Sequence, residues 1–208
     1  MSEGRDYKPY ADEASNYIYS AVFCDVLDQF VGMEDVEALF ALPFNERSVR
    51  AISDDNNAES WIRALAFRRL QQERRSVPQR VLLGVVVEAP LARGLDTLST
   101  YVDGRIRYIH GSGKQIIIEK DLPSTREPRK VLLKAAQDIV DELTPLMEPR
   151  SPPPKQPNVR VTAVASDGLY VGEANLEQLT ADPLGGPILR ATSDLLTAVV
   201  DYAKANAQ

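Results

Sequence analysis

Apolar residues recur every three or four positions through the first 75 residues, and more nearly every second position after Pro78. The first spacing is that of a helix buried on one face, the second that of strands. Over 11–30, Ile18, Val22, Phe23, Val26, Leu27 and Phe30 share one side and predict a single helix, with Cys24 beside the stripe as a small packing residue. Shorter helical patterns follow at 34–41 and 46–52, separated by Pro43. A longer helix is expected over 60–72, capped by Asn56 or Asn57, with Trp61, Ile62, Leu65, Ala66 and Leu70 inward.

Leu82, Leu83, Val85, Val86 and Val87 form a nearly unbroken apolar run, the pattern of a strand covered on both faces. Three more strands fit before Glu119. With Asp103-Gly104 as a two-residue turn, Tyr101 faces Ile106, Thr100 faces Arg107 and Ser99 faces Tyr108. With Gly111-Ser112-Gly113 as a three-residue loop, His110 faces Lys114, Tyr108 faces Ile116, Arg107 faces Ile117 and Ile106 faces Ile118. One face then collects Tyr101, Ile106, Tyr108, Ile116 and Ile118 as core. The other is mixed: Thr100, Arg105, Arg107, Gln115, Ile117 and Glu119, with Leu98 and Ile109 among them and Arg105 paired with Glu119 across strands. Either the helical front or a partner has to cover it.

A helix over 129–147 comes next, with Leu132, Ala135, Ile139 and Leu143 inward and Pro145 positioned to end it early. The run PRSPPPKQP at 149–157 reads as an exposed, polyproline-like connector. A second hairpin over 159–165 and 169–172 turns at Asp167-Gly168, 180–187 is a loop, and 188–205 closes the chain as a helix. The expected fold class is α+β: a helical N-terminal region over 1–76, then a domain over 77–208 built on a mainly antiparallel sheet of about six strands with two further helices. One compact domain overall is the alternative.

An apolar fraction of 44% and a charged fraction of 26% are ordinary for a globular chain of 208 residues. The net charge of −6 is concentrated in the first 78 residues, with 14 acids against nine bases. That speaks against nucleic acid, which calls for a concentrated basic surface. A lone Cys24, a polar start to the chain and no apolar run near the ~20 residues of a membrane span point to a cytoplasmic protein, free of the membrane.

Candidate chemistry is sparse. Gly111-Ser112-Gly113-Lys114 lacks the upstream glycine, the Ser or Thr after lysine and the following helix of a phosphate loop, so it reads as a hairpin loop. His110, the only histidine, falls at a strand end beside Lys114, with Asp96 within reach as an orienting carboxylate. Arg80 and Arg93 are candidate anion contacts, Arg80 within a cluster with Arg68, Arg69, Arg74 and Arg75. No cofactor or metal is expected, because thiolate or imidazole-rich sites need ligands the chain does not have.

The segments Gly94–Leu98, Tyr101–Ile109 and Ser112–Lys114, read as G-L-D-x-L, Y-x-D-G-x-x-R-Y-I and S-G-K, resemble an uncharacterised family of bacterial proteins without an assigned activity. The order of elements is similar to that of type III secretion chaperones, and loosely to roadblock and longin domains. What these resemblances imply is a non-enzymatic fold that binds partners through a sheet edge, a helix face or a dimer interface. The first expectation is thus a protein-interaction or regulatory protein, with a protein partner or self-association. The second is a binder of small anions, or an enzyme, with Asp96, His110, Lys114, Arg80 and Arg93 at the 94–114 end of the sheet.

Overall fold

The structure is a computed structural model that describes residues 7–206; the first six residues, part of the polar start noted above, lie outside the described residues. The front of the chain forms α1 (Glu13–Ala21), α2 (Glu37–Phe40), α3 (Glu46–Asp54) and α4 (Ser60–Gln72), with 3-10 turns at Leu27–Phe30 and Glu34–Val36. The single helix expected over 11–30 is therefore broken after Ala21. Cys24 takes a φ of 52°, and the Tyr101 hydroxyl donates to the Val22 carbonyl at 2.6 Å, satisfying one of the acceptors that a helix end leaves over. Helix α4 has the expected bounds but a different cap. Its first N–H, on Ser60, donates to Asp103 Oδ2 at 2.7 Å rather than to Asn56 or Asn57.

One antiparallel sheet follows: β1 (Leu82–Leu91), β2 (Gly94–Tyr101), β3 (Ile106–Ile109), β4 (Gln115–Ile118), β5 (Asn158–Ala165) and β6 (Gly168–Asn175), in the order β4-β3-β2-β1-β5-β6. The apolar run is β1, interior between β2 and β5 and buried from Leu83 to Glu88. The β3–β4 register is as expected, Tyr108 opposite Ile116 and Arg107 opposite Ile117.

The β2–β3 register differs by one residue: Thr100 faces Ile106, Ser99 faces Arg107 and Leu98 faces Tyr108. The turn holds three residues rather than two. Tyr101 N–H donates to the Arg105 carbonyl at 3.0 Å, and Gly104, at φ 100°, supplies the left-handed position. A one-residue shift exchanges the faces of a strand. Thr100 and Leu98 therefore leave the mixed face and lie with Ile106 and Tyr108. Tyr101 turns to the helical front, its ring so close over Gly84 that a Cβ there would meet it at 2.5 Å.

Two layers cover the sheet. Helices α5 (Pro123–Glu142), α6 (Leu176–Ala181) and α7 (Gly185–Ala205) lie on one face, where Leu132, Ile139, Ile188 and Leu195 meet Val85, Val87, Ile106, Tyr108 and Val161. On the other, Tyr19, Phe23, Leu65 and Leu70 meet Val86, Ile109, Val164 and Leu169. Helix α5 begins at Pro123 rather than at 129, with proline in the first turn where its missing N–H costs nothing. It ends at Glu142, ahead of Pro145. The expected loop over 180–187 is shorter, since α6 and α7 take both of its ends. The proline connector is only partly exposed: Arg150 and Pro154 are buried, and Arg160 donates to the carbonyls of Ser151 and Pro152 at 3.1 and 2.7 Å. Among the described residues, no helix is long and apolar enough to cross a membrane.

Candidate functional site

At the 94–114 end the β1–β2 turn and the β3–β4 loop touch, Gly94 against Gly111 so closely that a Cβ on Gly94 would sit 2.5 Å from the Gly111 carbonyl oxygen. Asp96 is 9% exposed and accepts from the Tyr108 hydroxyl and from Gly111 N–H, both at 2.8 Å. Burial, followed by that bond to Asp96, pushes the Tyr108 phenol well above its ordinary range. His110 Nδ1 accepts from Ser112 N–H at 3.1 Å and lies 2.8 Å from the Ser112 hydroxyl. Arg93 stands 4.0 Å from Asp96, and Lys114 is exposed. The fold thus gathers Asp96, Arg93, His110 and Lys114 at one loop pair, but Asp96 bonds the loop and Tyr108, not the imidazole. Arg80 lies elsewhere, with its guanidinium on the carbonyls of Asp141 and Leu143, where a cation complements the C-terminus of α5. Its neighbours in sequence form intramolecular pairs, Arg69 with Glu73 at 2.9 Å and Arg75 with Glu46 at 3.0 Å.

The mixed face is the second candidate. Without Thr100 it retains Arg105, Arg107, Gln115, Ile117 and Glu119. The helical front takes part of it: Gln115 donates to the Ser15 hydroxyl at 2.8 Å, and Arg105 pairs with Glu59, with Asp103 at 3.2 Å and with Glu119 at 3.5 Å. Beyond that cover the face opens into a groove of about 250 Å³. Arg107, Ile117 and Glu119 form one wall, with Tyr17, Ile18, Phe30, Met33 and Trp61 of the front opposite. Ile117 and Tyr17 are each 45% exposed, and Arg107 is held to Glu119 at 2.8 Å. Trp61 is fixed by a stack on Phe30, centroids 5.8 Å apart, and by donation to Glu59.

A third constellation is buried and was not among the residues singled out from the sequence. Glu88, wholly buried on β1, accepts from the Tyr19 hydroxyl at 2.7 Å, and its second oxygen lies 3.7 Å from Arg160. Arg150 donates to the same Tyr19 hydroxyl at 3.1 Å and to Asp25 at 3.1 Å, with its guanidinium carbon 3.7 Å from the centre of the Phe23 ring. Burial raises the Glu88 pKa against the opposing pull of the Tyr19 bond and of both arginines. Burial works against the charge on Arg150 too, yet Asp25 and Tyr19 hold its pKa above the usual value. Burial opposes ionisation of Glu173 as well, but bonds from Asn158 and Arg160 keep its pKa low. Both oxygens of Glu88 face fixed donors or cations, so the cluster is built as a clasp joining the connector, the front and the sheet. One sequence signal pointed to it: a lone carboxylate in the otherwise apolar LLGVVVEAPL.

Cys24 is 1% exposed, and burial, with the Asp25 charge beside it, pushes its thiol up to about 12, which leaves it unreactive. Among the described residues no cluster of three or more His, Cys, Asp and Glu side chains is placed to hold a metal ion. Searches of protein-family models, curated protein sequences and solved structures give no match to this chain.

Proposed function

We propose that this is a non-enzymatic, cytoplasmic protein-interaction module that binds a partner protein at the uncovered end of its mixed sheet face. The observation that carries this reading is the groove of about 250 Å³ between Ile117 and Tyr17, both part-exposed apolar side chains on rigid elements. Its volume is below the roughly 300–1,000 Å³ of sites that enclose a drug-sized molecule, and suits one or two anchoring side chains instead. At the 94–114 end Asp96 is engaged by Gly111 N–H and the Tyr108 hydroxyl, and His110 Nδ1 by Ser112, so no carboxylate among the described residues orients the imidazole, which weakens the small-molecule alternative.

The test is a photo-crosslinking residue at position 117, with position 131 on α5, where Val131 is 54% exposed, as the control surface. A partner-protein adduct is expected from 117 and not from 131. A covalent dimer of this chain from 117 would make the partner a second copy and overturn the choice of a different protein. Thermal stabilisation by a nucleotide or acidic metabolite, lost in His110→Ala and Lys114→Ala, would overturn the module reading in favour of a small-molecule site.

A further inference from the structure

The two edges of the sheet are not equivalent. At β6 the start of the edge is already engaged, since Leu146 N–H donates to the Leu169 carbonyl at 2.7 Å. At β4, His110 N–H donates to the Lys114 carbonyl at 2.8 Å, which fixes the alternation. Lys114, Ile116 and Ile118 turn their backbone groups to β3, while those of Gln115, Ile117 and Glu119 point away from the sheet. That free edge runs beside the groove, because Ile117 and Glu119 belong to both.

Resting on the interaction reading above, we infer that the occupant is an extended segment of a partner protein that adds antiparallel to β4 as a seventh strand, with an apolar residue opposite Ile117 and a basic residue two positions away, opposite Glu119. Cross-strand partners share a face. A residue paired with Ile117 therefore directs its side chain over the groove, toward Tyr17 and Met33. The residue paired with Glu119 meets a carboxylate that is 60% exposed. The groove lining itself carries Arg107 and Glu119, one charge of each sign, but acids gather around it: Glu59 and Asp103 beside Arg105, and Glu34, Asp35 and Glu37, all exposed, in the chain after Met33.

The same charges disfavour a second copy of this chain. The symmetric antiparallel register that uses all three outward residues sets Ile117 opposite its own equivalent. Lys114 then falls opposite Lys120 of the other copy, twice over, and like charges directly opposed are destabilising. Each copy also carries a net charge of −6.

Trp61, the only tryptophan, lines the groove and reports on its occupancy. The probe is the peptide acetyl-Thr-Lys-Val-Leu-Val-Lys-Thr-amide, titrated into the full chain while the Trp61 emission is followed. A saturable change is expected, with binding about tenfold weaker when both lysines of the peptide are glutamates. Binding should also be lost on N-methylation of the peptide leucine and in Ile117→Lys. Ile117→Pro is a second variant, since it removes an outward N–H that β3 does not use, which an edge strand tolerates. It too should abolish the response while leaving the fold intact by circular dichroism. Equal binding of the N-methylated peptide would overturn strand addition, and equal binding of the glutamate peptide would overturn the basic partner. If no peptide perturbs Trp61 but crosslinks still form at position 117, this inference fails alone. If both are silent, the interaction reading fails with it.

Discussion

Glu88 shows what one residue imposes on this fold. It is the one charged position on β1, wholly buried, and its second oxygen has no hydrogen-bond partner among the described residues. Burial holds its pKa above 4.5, the ordinary value. In the unfolded chain the proton leaves near that value, whereas in the folded protein it stays bound to higher pH. Between the two, the native state binds more protons, so stability falls as pH rises through the window. Glu88→Gln keeps an acceptor for the Tyr19 hydroxyl and removes the titration. The urea midpoint of the unsubstituted protein is expected to decline relative to Glu88→Gln as the pH is raised from about 4.5, and to level off above the folded pKa. A difference between the two proteins that is constant with pH would mean that Glu88 ionises in the fold without penalty.

At the scale of elements, the turn between β2 and β3 governs more than its own hairpin. Asp103 accepts from Arg105 N–H at 3.0 Å, which shapes the three-residue turn, and from Ser60 N–H at 2.7 Å, which caps α4. One side chain therefore sets a register and starts a helix more than 40 residues away. Asp103→Ala is expected to destabilise by about 1–2 kcal/mol in chemical denaturation, the range of a lost N-cap, and Asp103→Asn by less, because the amide oxygen still accepts. The helices and strands themselves were legible, since their apolar spacing is local. The break after Ala21 was not, because the group that ends α1, the Tyr101 hydroxyl, comes from the sheet. Nor was the β2–β3 register, since two- and three-residue turns are both compatible with Asp-Gly.

On the whole-molecule scale the sheet is a shared wall. Its two faces carry separate cores, and one of them joins 15 buried residues of the front to six of the sheet among the described residues, so the apolar side of the front packs directly on the sheet. Arg150 adds a polar link between the layers: from the connector after α5 it reaches Asp25, Tyr19 and Phe23 of the front, and the Tyr7 hydroxyl donates to its carbonyl at 3.0 Å. Unfolding monitored at Trp61, in the front, is expected to coincide with far-UV circular dichroism of the whole chain. Arg150→Ala should lower the stability by about 3–5 kcal/mol, because it leaves Asp25 as an unpaired, largely buried charge. A separate, earlier Trp61 transition in the unsubstituted protein would show that the front unfolds independently.

Residue spacing was enough for the α+β class, the burial of β1 on both faces and the β3–β4 register, because burial on two faces and alternation on one are written in the positions of apolar residues. It also marked Arg105, Arg107, Ile117 and Glu119 as a face in need of a cover. Tertiary structure alone decided how far that cover extends, leaving Ile117 open beside Tyr17. It alone brought Asp25, Glu88, Arg150 and Arg160 together from distant parts of the chain and took Arg80 away from Asp96 and His110. Spacing records which side of an element is buried. Which elements meet there, and where they stop short, depends on contacts between residues that the spacing does not link.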